Sequence, residues 1–195
     1  SWRHEGPRDS RLAGWLSLLS LALAGAALYW LVRHSPDEPG IGQMVALDQF
    51  RYAGSALILL VALGSVLASL GYLERERLIA PEFYVLLLLA VIGMLFMVSA
   101  KDLIVLFLGL ETMSVAVYVL AGYDRGDAFS AEAALKYFLI GAFASAFLLY
   151  GIALVFGATG STNLELIGAQ FSQGDLTLMA RLGLEFTSAP GRLSV

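Results

Sequence analysis

Five stretches of this chain, residues 12–32, 53–73, 83–100, 103–123 and 133–157, are almost purely apolar. About 20 apolar residues at a rise of 1.5 Å each cross the roughly 30 Å hydrocarbon core of a bilayer. No water is available there, so each segment must satisfy its own backbone N–H and C=O groups, and a lone run can do so only as a helix. Membrane barrel strands are about half as long and alternate apolar with polar residues, which none of these runs does. The expected fold class is therefore all-α, a polytopic membrane bundle of five helices. Composition points the same way: 14% of residues are charged, where a soluble domain has about a quarter, and mean hydropathy is +0.77.

Connectors set the order of packing. The longest, residues 33–52, contains Pro36, Pro39 and Gly40, which stop a helix. The others are short: "ERERLIAPE" (74–82), Lys101 with Asp102, and "DRGDAFSAE" (124–132). Short links make consecutive helices antiparallel neighbours, so one bundle over 12–157 is expected, preceded by a cytoplasmic flank over 1–11. The side that holds the N-terminus carries Arg3, Arg8, Arg11, Arg75, Arg77 and Arg125, against Arg33, Arg51 and Lys101 opposite. The positive-inside rule places that first side in the cytoplasm. Residues 158–195 lose the apolar character at Arg181, Glu185 and Pro190 and are expected to form an irregular tail, divergent or truncated. The chain starts at Ser1, so its own start is expected upstream.

Against this background one residue stands out. "LIVLFLGLETMSVAVYVLAGY" carries Glu111 near its middle. A carboxylate at mid-membrane costs about 2.5–3.5 kcal/mol on insertion scales, so it should face protein or an internal water file, not lipid. Ser114 and Tyr118 follow at i+3 and i+7, which puts all three on one helix face. Two readings follow: a proton-accepting or ion-coordinating acid, or a neutral acid that donates one interhelical hydrogen bond in a scaffold.

The next run opens with Ser130 as expected N-cap and carries Lys136 about six residues in. Glu132 lies at i−4, so a helical ion pair with the lysine stem snorkelling to water accounts for it without transport. Counting from the shared cytoplasmic end, Glu111 and Lys136 differ in depth by about 9 Å, too far to pair directly but within reach of a water-bridged link. Small residues four apart, Gly64 with Ala68, Ser65 with Ser69, Gly141 with Ser145 and Ala142 with Ala146, are expected to mark close helix contacts.

Several functions are excluded or unsupported. Without cysteine the chain holds no disulfide, thiolate metal site or iron–sulfur cluster. His4 and His34 lie in charged flanks and give no haem pair. A net charge of −4 with cations clustered at span ends gives no footing for nucleic acid.

"LFLGLETMSVAVYVLAGY" followed by "SAEAALKYFLIGAFASAFLLYGIALVFGATGS" resembles the antiporter-like membrane subunits of respiratory NADH:quinone oxidoreductase, complex I. The G-x-E motif on one span and E-A-x-x-K-Y-F on the next carry the resemblance, which is strong over 83–161 and stops near Phe171. It implies that Glu111 is an essential intramembrane acid and Lys136 the second charge of a proton relay. It also implies a bacterial inner-membrane location, the lipid bilayer and the other membrane-arm subunits as partners, and no cofactor on this chain. NAD, FMN, iron–sulfur clusters and quinone would belong to other subunits. The wider family includes subunits of multisubunit sodium/proton antiporters, so that function and a non-transporting scaffold stand as alternatives.

Overall fold

The computed structural model describes residues 7–34, 48–75, 78, 80–124 and 126–172. The expectations for His4, for Pro36 to Gly40, for Arg77 and Arg125, and for the tail beyond Ser172 lie outside these residues. Six helices follow one another: α1 (Pro7–His34), α2 (Gln49–Arg75), α3 (Ala80–Ser99), α4 (Leu103–Ala121), α5 (Ala128–Thr159) and α6 (Leu164–Ser172). The first five are long and apolar enough to cross a membrane, and no strand occurs among the described residues. Each reaches beyond or close to its apolar run, because polar end residues continue a helix as readily as they flank it.

The packing core joins α1, α2 and α3. Leu21, Leu59, Ala62, Val66, Leu73, Tyr84 and Val91 are buried together. Trp15, Leu16, Leu57 and Leu60 point outward and are exposed. Aliphatic and aromatic side chains on the outside suit a lipid solvent, where apolar surface carries no penalty. Gly64 and Ala68 are exposed, and a side chain at Gly64 would meet nothing within 4 Å. The α2 seam is Ala62, Val66, Ser69 and Leu73, on the opposite side of the helix from Gly64 and Ala68; of the expected Ser65 and Ser69 pair only Ser69 lies in it. Ala142 and Ala146 are likewise exposed.

Helices α3 and α4 meet backbone to backbone. A methyl group built on Gly93 would lie 2.5 Å from the Met113 nitrogen and 2.6 Å from the Gly109 oxygen; one on Gly109 would lie 2.9 Å from both the Gly93 oxygen and the Met97 nitrogen. Each glycine thus seats the methionine four residues beyond the glycine of the facing helix. Two backbones in contact gain dispersion and weak Cα–H···O contacts that any side chain here would forfeit.

Helix ends depart from expectation twice. Asp127, not Ser130, caps α5: its carboxylate accepts from the Phe129 and Ser130 N–H groups. Ser130 instead donates its hydroxyl to the Ala121 carbonyl at 3.0 Å, tying α5 to the end of α4. The span expected to end at 157 runs to Thr159, where Gly160 at φ 70° accepts the left-handed conformation that ends helices. Residues 164–172, expected to be irregular, form α6, whose first turn is capped by the Asn163 side chain. At nine residues α6 is too short to cross a bilayer.

Candidate functional site

Glu111 sits on the middle of α4. Its residue is half-buried and its Oε1 is fully buried, with no hydrogen-bond partner among the described residues. Ser114, one turn on, is buried, and Tyr118 completes the stripe. Tyr118 meets α5 directly: its ring stands edge-on to Tyr137 at 4.9 Å and to Phe138 at 5.8 Å. Its hydroxyl rests over Gly141, where a methyl group would lie 1.9 Å from Oη. The shared face that spacing assigns to Glu111, Ser114 and Tyr118 is therefore a face turned to α5.

Gly141→Ala is expected to force the Tyr118 phenol from this seat. Overpacking of this kind costs about 1–3 kcal/mol, and pairing it with Tyr118→Ser should recover most of the loss. Unfolding titrations of the chain in mixed micelles of increasing SDS content check both expectations.

Lys136 is exposed and forms the ion pair with Glu132 that its spacing offers. Ala134 packs on Gly122 and Gly141 on Tyr118; at 100° per residue Lys136 lies about 140–160° round α5 from both, on the side away from α4. The same contacts give the register of the hairpin. With Gly122 opposite Ala134, Glu111 is level with Ser145 and about 14 Å along the axis from Lys136. That exceeds the separation counted from the sequence, because the first turn of α5 overhangs the end of α4. The structure does not bring Glu111 and Lys136 together.

At the other end of the hairpin lies a polar cluster that sequence reading does not assemble. Asp102 is buried and caps α4 by accepting from the Ile104 N–H at 2.8 Å. Its second oxygen accepts from the Thr162 hydroxyl at 2.6 Å. Beside it Leu103 N–H donates to the Thr162 carbonyl and Leu164 N–H to the Lys101 carbonyl, both at 2.9 Å, while Lys101 pairs with Glu165 at 2.7 Å. The only signal for this cluster in the sequence is an acidic residue directly before an apolar run, which marks a helix cap and says nothing of a partner sixty positions away.

Fold and site together define a class: an all-α polytopic membrane protein with a carboxylic acid at mid-span facing the next helix. Residues 100–189 match the family described as NADH:quinone oxidoreductase/Mrp antiporter, TM. NADH-quinone oxidoreductase subunit N of Erythrobacter litoralis is 40% identical over 190 residues, covering 94% of this chain and 38% of the relative. Subunit N of Gemmatimonas aurantiaca is 48% identical over 160 residues, covering 76% and 31%. Among solved structures, a chain of respiratory complex I from Thermus thermophilus with bound aureothin aligns with TM-score 0.63 at 33% identity, covering 90% of this chain and 38% of that one. An archaeal membrane-bound sulfane sulfur reductase shares the fold, with TM-score 0.70 at 20% identity over 89% of this chain and 37% of that one. The chain belongs to the family of antiporter-like membrane subunits of NADH:quinone oxidoreductase. It spans under two fifths of the length of these relatives, and the match runs to residue 189, past the point where the resemblance read from sequence stops.

Proposed function

We propose that this chain is part of subunit N of a bacterial NADH:quinone oxidoreductase, in which Glu111 takes up and releases the translocated proton and Lys136 is the second charge of the relay. The observation that carries the proposal is the state of Glu111: an acid at mid-span whose buried Oε1 bonds nothing among the described residues. A scaffold would keep such a residue for an interhelical hydrogen bond, and a buried oxygen left without one costs about 1–3 kcal/mol. A group that must gain and lose a proton has a reason to stay outside a fixed bond. With Lys136 on the far face of α5, its influence on Glu111 runs through groups beyond this hairpin or through water.

Electron transfer from NADH to quinone then falls to other subunits of the complex, and proton movement to this one. Inside-out vesicles from cells that carry the full-length subunit should acidify when NADH is added and lose that response when its gene is deleted. A response to a sodium pulse without NADH, retained in a strain lacking NADH oxidation, would favour the sodium/proton antiporter instead.

The orientation follows from the arginine asymmetry, with the α2–α3 and α4–α5 turns in the cytoplasm. The chain has no cysteine, so Gln49→Cys and Gly126→Cys can each be labelled without background. An impermeant thiol reagent added to intact cells should label position 49 and spare 126; the reverse pattern inverts the topology.

A further inference from the structure

The hairpin of α4 and α5 is tied at both ends by polar contacts, and Glu111 lies between the ties. At one end Ser130 holds the Ala121 carbonyl. At the other, Asp102 begins α4 and grips Thr162, three residues past the end of α5. We infer that Asp102 is a positioning residue: its bonds to Thr162 and Ile104 set the height of α4 against α5 and so the depth at which Glu111 stands. The inference rests on the reading of Glu111 as the proton-coupled acid.

A helix in lipid feels little hydrophobic force along its axis, since sliding exchanges one apolar contact for another. Register must come from shape and from directional bonds. The Tyr118 seat on Gly141 supplies shape on one side of Glu111. On the other side, about 14 Å away along α4, the next fixed point is Asp102. Asp102 is 5% exposed and both of its carboxylate oxygens are engaged. The Leu103 and Leu164 backbone bonds close an antiparallel bridge between Asp102 and Asn163 around it. Nothing else in this cluster is buried and charged: Lys101 and Glu165 are at its exposed rim. Charge-assisted bonds of this kind are about twice as strong as neutral ones and fix geometry as well as energy.

The test uses assembled complex that contains a full-length subunit carrying this sequence, with Asp102→Ala, Thr162→Val and Thr162→Ser compared with wild type. Hydrogen exchange in the segments 99–106 and 161–168 should accelerate together by about tenfold or more in Asp102→Ala and Thr162→Val, and return to wild type in Thr162→Ser. Protons pumped per NADH oxidised should fall in the same two variants while NADH oxidation by the assembled complex holds. If Asp102→Ala does not assemble, Thr162→Val alone decides the matter. Loosening of only the mutated segment would overturn the clamp. Loosening of both segments with an unchanged proton yield would overturn the positioning role. Glu111→Gln in the same preparation separates the two readings: wild-type pumping there removes the role of Glu111, while the exchange data still decide whether the clamp exists.

Discussion

Glu111→Gln, introduced into the full-length subunit, is expected to lower NADH-driven proton pumping by an order of magnitude or more while the complex still assembles. Glutamine keeps the size and a hydrogen-bond donor but cannot carry or release a proton. The rate loss follows from removing a positioned acid–base group, whose contribution is typically about 10²–10⁴-fold. Assembly should survive because Oε1 makes no bond among the described residues that the substitution would break. Glu111→Asp should retain part of the activity, since it preserves the acid and retracts it by one methylene. Acidification of inside-out vesicles, normalised to the content of assembled complex, is the measurement. Pumping at the wild-type rate in an assembled Gln variant would leave Glu111 as a packing residue.

The second large effect concerns the α3–α4 contact. Gly93→Ala should prevent a stable α3–α4 pair, and adding Gly109→Ala should make the defect complete. A side chain can step aside from a new methyl group, but the two atoms nearest to one on Gly93 are the Met113 nitrogen and the Gly109 oxygen, both backbone. The helices must separate, losing close packing along the length of α4 and the frame that aims Glu111 at α5. Overpacking in a tight site costs about 1–3 kcal/mol and more when the obstacle is rigid. Gly64→Ala is the control: with nothing within 4 Å of the added methyl, it should leave the fold intact. The yield of folded, monodisperse chain in detergent, followed by its resistance to added SDS, ranks the three variants. Equal yields for Gly93→Ala and Gly64→Ala would contradict the contact described.

The spans were legible in the sequence because the bilayer fixes their length and hydrocarbon permits only one backbone form for a lone segment. The face shared by Glu111, Ser114 and Tyr118 and the Glu132–Lys136 pair were legible too, since both depend on helical spacing alone. What escaped depends on a second helix. Gly93 and Gly109 are single glycines, each with a methionine four residues on, and only their reciprocal fit across the interface brings the two backbones together. Gly64 with Ala68 has the usual small-residue spacing and faces outward, because spacing marks a possible seam without saying which side of the helix meets a neighbour. The depth between Glu111 and Lys136 exceeds the count from the sequence for a similar reason: it turns on how far α5 overhangs α4, which the Gly122–Ala134 contact sets. Asp102 and Thr162 meet only once α5 has returned to the level where α4 began.

Glu111 is expected to change protonation as the complex turns over. Infrared difference spectra of assembled complex, taken between the resting state and steady NADH oxidation, observe this through the carbonyl stretch of protonated carboxyl groups. We expect wild-type complex to show a carboxyl band that changes on turnover and shifts in D2O, and expect that band to be missing from Glu111→Gln. Identical carboxyl difference bands in wild type and Glu111→Gln would mean that the proton passes elsewhere, and would contradict the assignment.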